Sequence, residues 1–182
     1  MEAAAADEDS VVLRRFGVLV CSATPGAQTA LVARLGASEG GRRLLSALDF
    51  DAEQAETHKD AAARLGQGVN DNPHRFVLLY EDFAASLTPT KLSKMIDVSW
   101  AGRAGLAVVG VASTDGRARM EAVLGVTRFA APEGDPVDDL YPAMAAASRD
   151  LEAVRQAQGD AFKAPPAHEW EKFARIMRGP LG

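Results

Sequence analysis

A single cysteine, Cys21, leaves this chain unable to form an internal disulfide, and a reducing, cytoplasmic compartment is the expectation. Histidine is scarce as well: His58, His74 and His168 lie far apart, without the spacing of paired metal ligands, and read as surface residues. No run of lysine or arginine offsets the net charge of −5, which argues against a nucleic-acid partner because such proteins concentrate basic residues on one face. No apolar stretch approaches the ~20 residues a helix needs to cross a bilayer, so membrane insertion is not expected. Met1 to Ser10 is acidic and Ala-rich, unlike the basic start of a signal peptide or an Arg-rich transit peptide. Gly36, Gly40 and Gly41 do not follow a strand into a helix, so no dinucleotide fingerprint forms, and no Ser-His-Asp set can be assembled. Neither a cofactor nor a metal is expected.

What is present is enough for one globular core. With 182 residues, 47% hydrophobic and 25% charged, the chain fits one domain with tails. The expected division is a disordered acidic tail over 1–12, an α/β domain over 13–160, and a helical extension over 161–182. Phe16 to Cys21 is a short β-rich apolar run that ends at the turn formers Ser22, Thr24, Pro25 and Gly26, and it predicts a buried strand. Helical spacing follows from Ala27, with Leu31, Val32 and Leu35 on one face and Gly36 as the C-cap. Arg43 to Phe50 fits either a strand or the tail of a helix. Asp51 to Leu65 reads as an exposed helix ended by Gly66 and Gly68.

Arg75 to Tyr80 is the clearest strand, with Glu81 and Asp82 at its carboxyl end as solvated carboxylates. Thr88-Pro89 opens a helix with proline at its first position and Leu92, Met95 and Ile96 on its apolar face, reaching toward Trp100. Leu106 to Val111 is another strand, ending at Ser113-Thr114. A short helix through Met120, Val123 and Leu124 stops at Gly125, and Val126 to Ala130 is the last strand. A long helix spans Val137 to Gln158, its proper start near Tyr141 because of Pro142. Continuous apolar strands separated by helices predict a parallel sheet covered on both faces. A flavodoxin-like, doubly wound, mostly parallel five-stranded sheet with a C-terminal helical extension is the expected architecture.

In such a sheet, reacting groups gather at the carboxyl ends of the strands. Those ends hold Cys21-Ser22, Tyr80-Glu81-Asp82, Ser113-Thr114 and Ala131-Pro132. The stretch from Leu106 through Ser113-Thr114 and Gly125-Val126-Thr127-Arg128-Phe129-Ala130-Ala131-Pro132 to Leu140 resembles the last third of a bacterial response-regulator receiver. Arg75 to Asp82 is similar to the receiver's central strand, and the likeness covers Phe16 to Ser148. The departures fall on the chemistry. Cys21-Ser22 stands where a receiver carries its Mg²⁺-holding acids, and a hard cation needs oxygen ligands. Ala131 replaces the lysine, and the aspartate position falls on Tyr80 or Glu81. The resemblance implies a pocket (Cys21, Ser22, Tyr80, Glu81, Asp82, Ser113, Thr114, Ala131) that cannot stabilise a transferring phosphoryl group. It implies a pseudo-receiver that signals by binding a protein partner, a second copy included, through a face containing Arg128, Phe129 and Tyr141.

Two alternatives stand beside it. Cys21 followed by Ser22-Ala23-Thr24-Pro25-Gly26 is similar to the phosphocysteine loop of cellobiose-type sugar phosphotransferase IIB domains, which would make Cys21 the nucleophile of a phosphotransferase or thiol enzyme. After Pro165-Pro166, Trp170, Phe173, Ile176 and Met177 recur at helical spacing. Such a stripe must be covered by its own domain, by a partner's groove or by a neighbouring subunit, and the last would make the chain an assembly subunit.

Overall fold

The computed structural model describes residues 16–50, 54–67, 74–97, 106–133 and 135–158. Strand β1 (Phe16–Cys21) is followed by α1 (Ala27–Gly36), α2 (Glu39–Ala47) and β2 (Leu48–Phe50). Next come α3 (His58–Gln67), β3 (His74–Tyr80), the single turn α4 (Glu81–Ala84), α5 (Pro89–Asp97) and β4 (Ala107–Val111). The chain closes with α6 (Thr114–Arg119), a π-helical turn (Met120–Leu124), β5 (Phe129–Ala130), a second π turn (Pro136–Leu140) and α7 (Tyr141–Gln158).

The strands pair in the order β2-β1-β3-β4-β5, and every pairing is parallel. Parallel neighbours need crossovers, and the helices between them supply these while covering both faces. Alternation along each strand divides the apolar residues between two cores. Val18, Val20, Phe76, Leu78 and Val109 face α1, α2 and α7, where Leu35, Leu44 and Met144 meet them. Leu19, Cys21, Val77 and Leu79 face α3 and α5, against Leu65, Phe83 and Met95. The alternating, doubly covered parallel arrangement expected from the sequence is therefore present. No helix among the described residues is long and apolar enough to cross a membrane.

Local signals explain the helix starts. Thr57 Oγ1 accepts from Asp60 N, and Thr88 Oγ1 accepts from Lys91 N, both at 3.2 Å. Ser38 caps α2 through Gly41 N at 3.0 Å. Gly125, at φ 71°, ends the π turn in the left-handed conformation that glycine adopts without strain. Pro142 lies in the first turn of α7, directly after the π turn Pro136–Leu140, and the α-helix begins at Tyr141 as its position suggested.

Several expectations are corrected. Arg43 to Phe50 is both helix and strand, dividing between α2 and β2. The helix expected from Asp51 begins at His58, because Ala55 first pairs with the end of β1 and the Gln54 side chain bonds the loop that follows it. The last strand contracts from 126–130 to Phe129–Ala130, with Val126 buried in the α5-side core. Gly36 is the last residue of α1, and Ala37 forms its C-cap. His74, read as a surface residue, is fully buried at the start of β3. Residues 1–12 and 161–182, assigned to an acidic tail and a helical extension, lie outside the described residues, as does Trp100.

Candidate functional site

The carboxyl ends of β1 and β3 meet through Asp82. Its carboxylate accepts from Ser22 Oγ at 2.9 Å and Thr24 Oγ1 at 2.5 Å, and from its neighbour's backbone at Phe83 N, 2.7 Å. Ser22 is fully buried, and its hydroxyl also accepts from Thr24 N at 3.1 Å. Partial burial raises the Asp82 pKa, but the Thr24 and Ser22 hydroxyls with the Phe83 and Ala23 backbone outweigh it, and the carboxyl lies below its ordinary value.

Gln54 braces the same loop from the other side. Its Nε2 donates to the carbonyls of Ser22 (2.8 Å) and Thr24 (2.7 Å), and its Oε1 accepts from Gln28 N at 2.8 Å. The loop between β1 and α1 thus has its polar groups tied by Gln54, Ser22 and Asp82. Cys21 turns away from it: the thiol is fully buried with Leu19, Ala55 and Leu79. A nucleophile there has no access to a substrate in the loop. This burial counts against the phosphocysteine alternative.

Glu81 belongs to the next gap, between β3 and β4. Its Oε2 accepts from Ser113 Oγ at 3.0 Å, while Ser113 Oγ accepts from Gly116 N at 3.4 Å and caps α6. A Cβ on Gly116 would lie 2.0 Å from Glu81 Oε2, so glycine is what lets this carboxylate reach the cap. Thr114 is exposed at the first position of α6. Glu81 and Asp82, expected as solvated carboxylates, are instead half-buried and held by hydroxyls from two different loops.

Tyr80 ends β3 on the opposite face, beside Arg34, Leu140 and Ala131 in a cleft of about 10 Å³. That is room for no more than one water. Burial pushes the Tyr80 phenol up, Arg34 pulls it down less strongly, and Asp82 adds a smaller upward push. Ala131 contributes only backbone: its N–H donates to the Asp139 carboxylate, while Arg34 Nη1 donates to the Pro132 carbonyl. Among the described residues, no group of three or more His, Cys, Asp or Glu is arranged to hold a metal ion.

The expected partner face is only partly a surface. Arg128 is exposed and pairs with Asp150 at 2.6 Å and 2.9 Å. Hydrogen bonding and the attraction of Asp150 raise the Arg128 pKa, and the Asp150 carboxyl is lowered by the same bond. Phe129 is half-buried, lying across Gly110 with the Arg117 guanidinium 5.8 Å from its ring centre. Tyr141, expected on that face, is a correction in position: it is buried in the α7-side core. Trp170, Phe173, Ile176 and Met177 lie outside the described residues.

Of the residues singled out in the sequence, Ser22 meets Asp82 and Ser113 meets Glu81. Gln54 and Thr24 as braces, and Arg34 and Asp139 beside Tyr80 and Ala131, were not among them. The turn composition after β1 marked Thr24, but no local pattern distinguishes Gln54 from any other surface glutamine.

No protein-family model matches the chain, and no curated protein matches it. Among solved structures, a trimeric coiled-coil segment of yeast Spc42 fused to another structure is similar at 12% identity, with a TM-score of 0.53. The match covers 92% of this chain and 97% of that one. At this identity the likeness bears on the fold alone.

Proposed function

We propose that this chain is a receiver-like module of flavodoxin-like architecture that acts by binding a protein partner and is not itself phosphorylated. The strand order β2-β1-β3-β4-β5 supports the architecture, since flavodoxin-like sheets wind in that order. The observation that carries the reading is the state of Asp82. Its carboxylate is engaged by Ser22, Thr24 and the Phe83 N–H, so the acid nearest the reacting position works as a loop brace.

The remaining positions agree. Tyr80, whose phenol is shifted upward, ends β3 where a phospho-accepting carboxylate would stand. Ala131 offers no ammonium, and Cys21-Ser22 offers a buried thiol and a hydroxyl committed to Asp82. Phosphoryl transfer depends on positioned charge: a metal held by carboxylates and a cation on the transferring group. Among the described residues, no group of three or more His, Cys, Asp or Glu is arranged for the metal, and Ala131 supplies no cation, which supports the reading. Exposed Arg128 and half-buried Phe129 remain as the polar and apolar parts of a reading face.

Incubation of the full chain with acetyl phosphate and Mg²⁺, followed by intact mass measurement, tests the proposal. The expected outcome is an unmodified mass. A stable phosphoryl adduct on Glu81 or Asp82 would reject it.

A further inference from the structure

A groove of about 280 Å³ lies along the edge of β4, near the amino-terminal end of the strand. The β4–β5 ladder starts only at Gly110↔Phe129, so Ala107 and Val108 pair with β3 on one side and face the groove on the other. Ile96 and Leu124 form one apolar wall, Ala147 and Leu151 of α7 the other, and the Arg128–Asp150 pair lies at the lining. The volume is close to the small end of ligand pockets, ~300 Å³. It takes an indole and one or two further side chains, not a folded domain.

We propose that the occupant is the chain's own segment 168–178, with Trp170 and Phe173 entering the groove. The π turn that leads into α7 meets Ala131, at the carboxyl end of β5, through Asp139, and α7 then lines the groove with Ala107 and Val108 at the other end of the sheet. Its last residue, Gln158, is seven positions past Leu151, or about 10 Å along the helix. Gln158, the last described residue, therefore lies toward the end of the sheet where the groove opens. The eleven residues from 159 to 169 reach about 36 Å when extended, ample to return to Leu151 around Pro165-Pro166. Beyond them come Trp170, Phe173, Ile176 and Met177, apolar residues that recur in the sequence at helical spacing and gain by being covered. This inference does not rest on the receiver-like reading, although the groove shares Arg128 with the proposed reading face.

The chain has two tryptophans, so a full-length Trp100→Phe variant makes Trp170 the sole indole reporter. The expected result is blue-shifted emission and severalfold weaker acrylamide quenching than in a peptide of residues 165–182. Phe173→Asp in the tail and Leu124→Glu in the groove should each shift the emission red and restore quenching. Circular dichroism and the urea midpoint of Phe173→Asp should show the α/β domain still folded. The proposal fails if Trp170 is as quenchable as in the peptide, or if Leu124→Glu folds and leaves Trp170 protected. It also fails if protection is lost on dilution together with a dimeric mass, which would put the tail in a second copy.

Discussion

Asp82 concentrates the physics of the rim in one side chain. Its carboxylate ties β1 to β3 across 60 positions of sequence, and the buried Ser22 hydroxyl depends on it for an acceptor. Asp82→Ala should lower stability by about 1 kcal/mol at neutral pH, below the ~1.5–3 kcal/mol of a charged hydrogen bond because water screens a half-buried group. The folded-state pKa is depressed, so this contribution is present above the unfolded value near 4 and is lost as pH falls through the folded value. Urea midpoints of the two proteins should therefore converge in acid. A gap of constant size down to the acid limb would show that the carboxylate's charge contributes nothing. The residues that could meet at this rim were visible in the sequence as turn formers and carboxylates, but their pairing was not. Ser22 finding Asp82, and Gln54 reaching Ser22, Thr24 and Gln28, depend on the sheet order placing β3 and the chain after β2 on either side of β1.

Elements were legible in proportion to the length of their apolar runs. β1, β3 and β4 are apolar runs whose stretches 18–21, 76–79 and 109–111 are buried, and each is recognisable without context. β2 and β5 are three and two residues long, too short to carry a period, and are defined by their neighbours. The corner between α1 and α2 shows the same limit. Both Gly36 and Gly41 read alike in sequence, yet nothing approaches within 4 Å of a Cβ built on Gly36, whereas one on Gly41 would lie 2.0 Å from the Leu35 carbonyl oxygen. Gly36→Ala should stabilise the protein by about 0.5 kcal/mol by restricting the unfolded chain and favouring the helix. Gly41→Ala should cost about 1–3 kcal/mol, because the obstructing atom is backbone and the α1–α2 corner must open. Equal midpoints for the two variants in urea would mean that the corner is not close-packed.

At the scale of the whole molecule, the sheet separates two apolar cores that share its strands. Leu35 of α1 is fully buried in one and Leu65 of α3 in the other, each against side chains that alternate through the same β1 and β3. Neither core survives without the sheet, so unfolding should be a single transition seen equally from both sides. The two sites have no partner side chains in common, and a layer of backbone lies between them. Leu35→Val and Leu65→Val should each cost about 1 kcal/mol for the lost methylene, more where the space does not close. Their double variant should be additive to within about 0.5 kcal/mol, as expected for sites more than ~10 Å apart. Separate transitions for the two single variants, or a coupling well above that margin, would mean that strain passes through the sheet and that its faces do not pack independently.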